Sequence, residues 1–203
     1  MSWSVCVRED DLVQEFLETV KPERQYSELF VITFIGLPGT GKSTVARLLK
    51  ERLGIYSTSN DQIRRFLNSK GFIGISPKQD LVERIAELRT VKLYEQRISH
   101  VLDADIVKFV DKVEEYAKAH GASCYILHLT CKEATALQRI RNRGYKEGNF
   151  SMADIDTYHE RKKVHEAIEF KEHVFFTIDT SLELEPQVEA FIAKFNQDLA
   201  RKT

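Results

Sequence analysis

Two hydrophobic rhythms alternate along the chain. Residues 29–36 (LFVITFIG) form an almost unbroken β-branched and aromatic run, as expected of a strand buried on both faces. Directly after it Val45, Leu48, Leu49 and Leu53 recur at helical spacing and Gly54 supplies a stop. The alternation predicts further strands at 55–59, 98–103 (ISHVLD), 122–130 (ASCYILHLT) and 173–180 (HVFFTIDT). From Asp61 to Arg97 the pattern is helical, broken at GFIGISP by Gly71, Gly74 and Pro77. There Ser76 and Gln79 have capping-box spacing, and Leu81, Ile85 and Leu88 continue an apolar face. Ile106, Phe109, Val110 and Val113 mark a helix ending near Gly121. Thr130 and Glu133 predict a capping box for a helix that stops at Gly144, and another helix starts near Ser151. Val188, Phe191, Ile192, Phe195 and Leu199 give a closing amphipathic helix. Ahead of the first strand, Leu12, Val13, Phe16, Leu17 and Val20 share one face of a packing helix over 10–20.

Five strands separated by helices predict a three-layer α/β fold with a mainly parallel five-stranded sheet, whose ligands gather at the carboxyl ends of the strands. The 203 residues contain no visible repeat or linker and read as one domain, 1–203. An apolar share of 42% with only 9 Gly and 4 Pro argues against a disordered or low-complexity chain. Thirty basic residues against 31 acidic leave no global field to hold a nucleic-acid duplex, so any anion site has to be local. Cys6, Cys124 and Cys131 show no C-x-x-C spacing, and Cys124 and Cys131 read as core packing. With no apolar run of spanning length, the expectation is a protein of the reducing cytoplasm that makes no membrane contact. His159 and His165 lie six apart, off a common helical face, and read as exposed helix histidines rather than metal ligands.

The candidate chemistry starts at GLPGTGKST, which fits G-x-x-x-x-G-K-[ST] between a buried strand and an amphipathic helix. The glycines let successive N–H groups and the positive helix end face a β-phosphate. The predicted nucleotide-binding set is Gly36, Pro38, Gly39, Thr40, Gly41, Lys42, Ser43 and Thr44, with Lys42 reaching the β- and γ-phosphates and the Ser43 hydroxyl on Mg²⁺. The chain has neither the D-x-x-G switch nor the N-K-x-D base reader of a GTPase. In VLDAD, Ala104 separates Asp103 from Asp105, unlike the adjacent acidic pair of a work-performing ATPase.

Asp61 and Arg64 in SNDQIRRF share one face of a first helical turn. A carboxylate there can take the proton from an attacking hydroxyl, and an arginine can fork onto an anionic group. Asp61 serving as helix N-cap with Arg64 as its i,i+3 partner is the competing reading. Arg139, Arg141, Arg143 and Lys146 fall within eight residues free of acid, beside GYKEGN. They suit a lid that stabilises transition-state charge, or else a solvated basic face.

Taken in order, GLPGTGKST, Asp61 and Arg64, VLDAD, QRIRNRG and FTIDTS resemble the P-loop kinases that include polynucleotide 5′-hydroxyl kinases, seryl-tRNA kinases and chloramphenicol phosphotransferases, a zeta-toxin-like group of the AAA_33 type. The resemblance covers roughly residues 29–195. It implies a P-loop NTPase fold with ATP and Mg²⁺ as cofactors, Lys42, Asp61 and Arg143 as catalytic residues, and Arg64 as acceptor clamp. It also implies Arg139 near the nucleotide and Ser43 and Asp103 at the metal, Asp103 through water, with a strand-end turn residue as the alternative for Asp103. The chain then divides into an N-terminal helical addition (1–28), an acceptor-binding helical region (61–97) and a lid (141–152). Members of the group often carry Thr and Asn just after the third-strand aspartate, whereas here Asp105 and Ile106 follow Ala104. The function so implied is transfer of the γ-phosphate of ATP to a hydroxyl of a small polar or nucleotide-like acceptor. The alternatives are a polynucleotide 5′-hydroxyl kinase, with a nucleic-acid 5′ end as partner, and a nucleotide-binding regulator without transferase activity. The sequence leaves oligomeric state open.

Overall fold

The computed structural model describes residues 9–21, 24–72, 76–143 and 153–202, with the side chains of 76–79 outside that description. Its centre is the continuous apolar run, now strand β1 (Phe30–Ile35), every residue of which is buried. The other strands are β2 (Tyr56–Thr58), β3 (His100–Asp105), β4 (Ser123–Thr130) and β5 (Val174–Asp179). They form one sheet in the order β2-β3-β1-β4-β5, with every pairing parallel. Because β1 lies mid-sheet, both its faces are covered. Phe30, Ile32 and Phe34 pack with Val45, Leu49 and Leu53 of α2 (Lys42–Leu53) and with Phe191 and Phe195 of α8 (Leu184–Lys202). On the opposite face Ile35 packs with Ile106, Val107, Val110 and Ile126, below α5 (Val110–Ala119).

The helical excursion has a core of its own. Leu12, Val13 and Phe16 of α1 (Glu9–Glu18) are buried against Ile63 and Leu67 of α3 (Asn60–Ser69) and Leu81, Val82 and Ile85 of α4 (Ser76–Glu95). Lys92 Nζ donates to Leu17 O at 2.6 Å, and Arg84 pairs with Asp10. The N-terminal addition therefore braces the helices that follow β2.

Three local expectations change. The third strand starts two residues later and runs through Asp105, because Phe34 of β1 pairs with Asp105 across a bulge. The Thr130–Glu133 capping box does not form. Thr130 stays in β4, where its hydroxyl donates to Ile178 O, and α6 (Glu133–Arg143) begins three residues on, with Glu133 drawn to Lys162. The next helix, α7 (Ile155–Ala167), is capped by Asp154, whose Oδ1 accepts from Thr157 N at 2.8 Å. Ser151, the Gln79 cap, Trp3, Cys6, Lys146 and the 144–152 part of the lid lie outside the described residues.

His100, at the start of β3, is fully buried and donates from Nδ1 to Ile98 O at 2.9 Å. Burial pushes its pKa down to about 4. An unfolded chain protonates this imidazole near 6.5 and the folded one only near 4, so stability present above pH 6.5 is lost as pH falls through that window. The full contribution is about 3 kcal/mol. Urea titrations between pH 7 and 4.5 are expected to show a steep fall in stability for the wild type, and a fall shallower by one proton for His100→Phe.

Candidate active site

Between β1 and α2 the chain turns through Gly36–Gly41, and each key glycine there has a physical reason. A Cβ on Gly36 would meet Leu129 O and Thr40 Oγ1 at 2.8 Å. One on Gly39, at φ +80°, would sit 2.5 Å from Ala136 O. The loop is thus wedged against β4 and α6, and only glycine fits. Gly41, at φ 86°, precedes α2 without any side chain capping the helix, which leaves the first amides of α2 open to an anion. Lys42 Nζ donates to Gly36 O at 2.6 Å and Leu37 O at 2.9 Å. Burial lowers its pKa, opposed by the nearby Asp105 and Asp103 carboxylates.

A cleft of about 560 Å³ opens over this loop. It is lined by Pro38, Gly39, Gly41, Lys42, Ser43 and Thr44 of the loop and the start of α2, by Asp61 and Arg64 of α3, by Asp103 and Asp105 of β3 and by Arg143 of α6. Four features widely spaced in sequence therefore converge. The Ser43 hydroxyl lies beside the Asp103 carboxylate, and burial raises the Asp103 pKa more than Ser43 and Lys42 lower it. A hydroxyl beside a carboxylate at the mouth of an anion-binding loop is a donor set that suits Mg²⁺ completed by phosphate and water oxygens, so the residues present fit the ion. Among the described residues, no group of three or more His, Cys, Asp or Glu side chains gathers at metal-binding distance.

Ser59, not Asp61, caps α3. Its hydroxyl accepts from Gln62 N while its own N–H donates to Gln62 Oε1 at 3.1 Å. With the capping role filled, Asp61 projects into the cleft, 37% exposed, and accepts from Arg64 Nη1 at 2.8 Å. The turn is held from below by Arg89 of α4, which is 2% exposed and donates to Ser59 O at 3.0 Å. Burial lowers the Arg89 pKa to about 10, so it remains charged at neutral pH.

Arg139 takes a different place from the cleft residues. Its guanidinium reaches the loop from behind, donating to Gly39 O at 3.2 Å and to Thr180 Oγ1 and Thr180 O at 2.8 Å each, while the Thr180 hydroxyl donates to Thr40 O. Gly36 and Thr40 likewise shape the loop without lining the cleft.

Sequence reasoning passed over Ser59, Asn60, Asp105, Thr157 and Arg161, all of which line the cleft. It also read His165 as exposed. Its side chain is only 9% exposed, and its Nε2 lies 2.9 Å from Asp105 Oδ2. For Asp105, burial alone would raise the pKa, but the His165 hydrogen bond and charge, Lys42 and the Gly36 N–H together hold it below the usual carboxylate range. The i,i+2 spacing of Asp103 and Asp105 on one strand was a usable signal for their common face. Nothing local in the sequence pointed to His165, sixty residues away.

The chain is similar to the adenylate kinase of Thermococcus kodakarensis, 32% identical over 123 residues that cover 55% of each chain. It is also similar to the adenylyl-sulfate kinase of Thermodesulfovibrio yellowstonii, 29% identical over 124 residues covering 58% of this chain and 61% of the relative. It therefore spans under two thirds of the length of either. The crystal structure of Chaetomium thermophilum Kti12 in complex with ADP-AlF3 has the same fold, with a TM-score of 0.60 at 15% identity over 82% of this chain and 97% of that one. No helix among the described residues is long and apolar enough to cross a membrane. The profile of the AAA domain family AAA_33 matches residues 31–168, a stretch that holds the glycine loop, Asp61, Arg64, Asp103 and α7, and the chain belongs to that family.

Proposed function

We propose that the chain is an Mg²⁺–ATP-dependent phosphotransferase that moves the γ-phosphate onto a hydroxyl of a small polar or nucleotide-like acceptor. The observation that carries this reading is the single cleft joining a phosphate-binding loop to the Asp61–Arg64 pair. The open amides of α2 receive the β-phosphate, and Lys42 exchanges the carbonyls of Gly36 and Leu37 for phosphate oxygens. Ser43 and Asp103 would hold Mg²⁺, which when bound neutralises charge on the phosphates. Asp61 accepts the proton of the attacking hydroxyl as its oxygen bonds to the γ-phosphorus, and the bond from that phosphorus to the β-bridging oxygen breaks to release ADP. Arg143 stabilises charge on the group in transfer. On this reading 61–97 forms the acceptor side and 141–152 the lid.

Adenylate and adenylyl sulfate, the compounds in the names of the two relatives, are nucleotides with an anionic group, which is what Arg64 could fork onto. The segment 61–97 mixes Arg64, Arg65, Lys70, Lys78, Arg84, Arg89 and Lys92 with Asp80, Glu83, Glu87 and Glu95, a mixed charge that favours a compact acceptor over a long nucleic acid. Transfer of labelled γ-phosphate, screened over nucleosides, nucleotides, sugars, phenicol and aminoglycoside antibiotics and 5′-hydroxyl oligonucleotides, is expected to mark a small acceptor. Labelling of oligonucleotides alone would overturn the small-acceptor reading, and labelling of nothing would favour a nucleotide-binding regulator. Arg64→Ala is expected to raise the acceptor KM by roughly 10- to 100-fold, from loss of a charge-assisted bond, while moving the ATP KM much less.

A further inference from the structure

Thr157, Arg161 and His165 stand four residues apart and make one stripe along α7. The first two face the cleft. The third is turned to the sheet, where its Nε2 meets Asp105 Oδ2 at 2.9 Å. A carboxylate only accepts, so Nε2 carries the proton and donates. The other oxygen of the same carboxylate, Oδ1, accepts from the backbone N–H of Gly36 at 3.3 Å, the first residue of the phosphate loop. A continuous polar path therefore runs from α7 through Asp105 to the loop. Both side chains are nearly closed off from water, at 9% and 12% exposure. Ile155, Tyr158 and Val164 give α7 its apolar contacts, the Lys162–Glu133 pair is exposed, and the His165–Asp105 bond adds a buried polar tie.

We propose that His165 is a positioning residue for the nucleotide phosphates: through Asp105 it locks α7 to Gly36, so that Thr157 and Arg161 are held across the cleft from Lys42 and Ser43. The inference rests on the reading of the loop as the phosphate site. It accounts for a carboxylate at position 105, whose two oxygens serve the Gly36 amide and the imidazole at once. Thr157 and Arg161 line the same cleft as Lys42 and Ser43.

The test compares two polar substitutions of similar tolerance. Gln places its amide nitrogen about where Nε2 stands and can still donate to Asp105, whereas Asn places it near Nδ1 and falls short. Mg²⁺–ATP binding to the full chain, measured by calorimetry, is expected to weaken by roughly 3- to 30-fold in His165→Asn and to stay within about 3-fold in His165→Gln. Adding Arg161→Ala to His165→Asn is expected to cost less than Arg161→Ala costs in the wild type, because the stripe is already displaced. Hydrogen exchange of 155–167 in the ATP complex is expected to speed up in the Asn variant alone. If both variants bind ATP as the wild type does, or if the Arg161 and His165 effects simply add, the positioning role is wrong while the phosphate site stands. A wild type that binds no nucleotide removes the phosphate reading and this inference with it.

Discussion

Lys42→Ala is expected to lower Mg²⁺–ATP binding or turnover by roughly 10²- to 10³-fold, the effect of removing one preorganised positive group from a site where charge gathers. Two other guanidiniums are already committed, Arg139 behind the loop with Gly39 and Thr180, and Arg64 with Asp61. Folding is expected to survive, since the ammonium bonds only to the carbonyls of Gly36 and Leu37, which can turn to water. Calorimetric titration with ATP, paired with thermal unfolding, separates the two outcomes. A variant that keeps wild-type affinity and rate would remove the assignment of the loop.

Asp61→Asn is expected to leave ATP affinity nearly unchanged and to lower turnover by roughly 10²- to 10⁴-fold, the range for loss of a general base. The structure makes this a clean substitution. Ser59 and Gln62 carry the cap of α3, so Asn at 61 removes a charge and a proton acceptor without uncapping the helix. Arg64 would still find an amide oxygen at the same place. Steady-state rates at saturating ATP and acceptor, normalised to folded protein, check it. A stability loss with an unchanged rate per folded molecule would return Asp61 to a structural role.

Most of the architecture was legible because the strongest signals were local. A run such as FVITFI has no hydrophilic face, so it had to lie mid-sheet, and β1 does. The glycine loop was readable because its constraints are backbone contacts within a few ångströms, at Gly36 and Gly39 above all. Asp61 was ambiguous in sequence, since an aspartate before a helix suits a cap as readily as a proton acceptor. The reciprocal bonds of Ser59 and Gln62 remove the cap reading. Thr130 shows the opposite failure: a good capping pattern lost to the sheet, whose parallel pairing with β5 runs to Asp179 and keeps Thr130 extended. Arg89 and His165 were missed for one reason. Each acts across the tertiary fold on a segment distant in sequence, Ser59 for Arg89 and Asp105 for His165, and helical spacing alone presents both as surface residues.

The most direct test of the central claim is the fate of the γ-phosphate. Wild-type protein is incubated with Mg²⁺ and γ-labelled ATP, with and without the acceptor pool, and labelled products are separated from free phosphate. The account predicts one labelled acceptor formed for each ADP, release to water that is slow when acceptor is absent, and loss of both products in Lys42→Ala. Label appearing only as inorganic phosphate, at the same rate whether or not an acceptor is present, would contradict it.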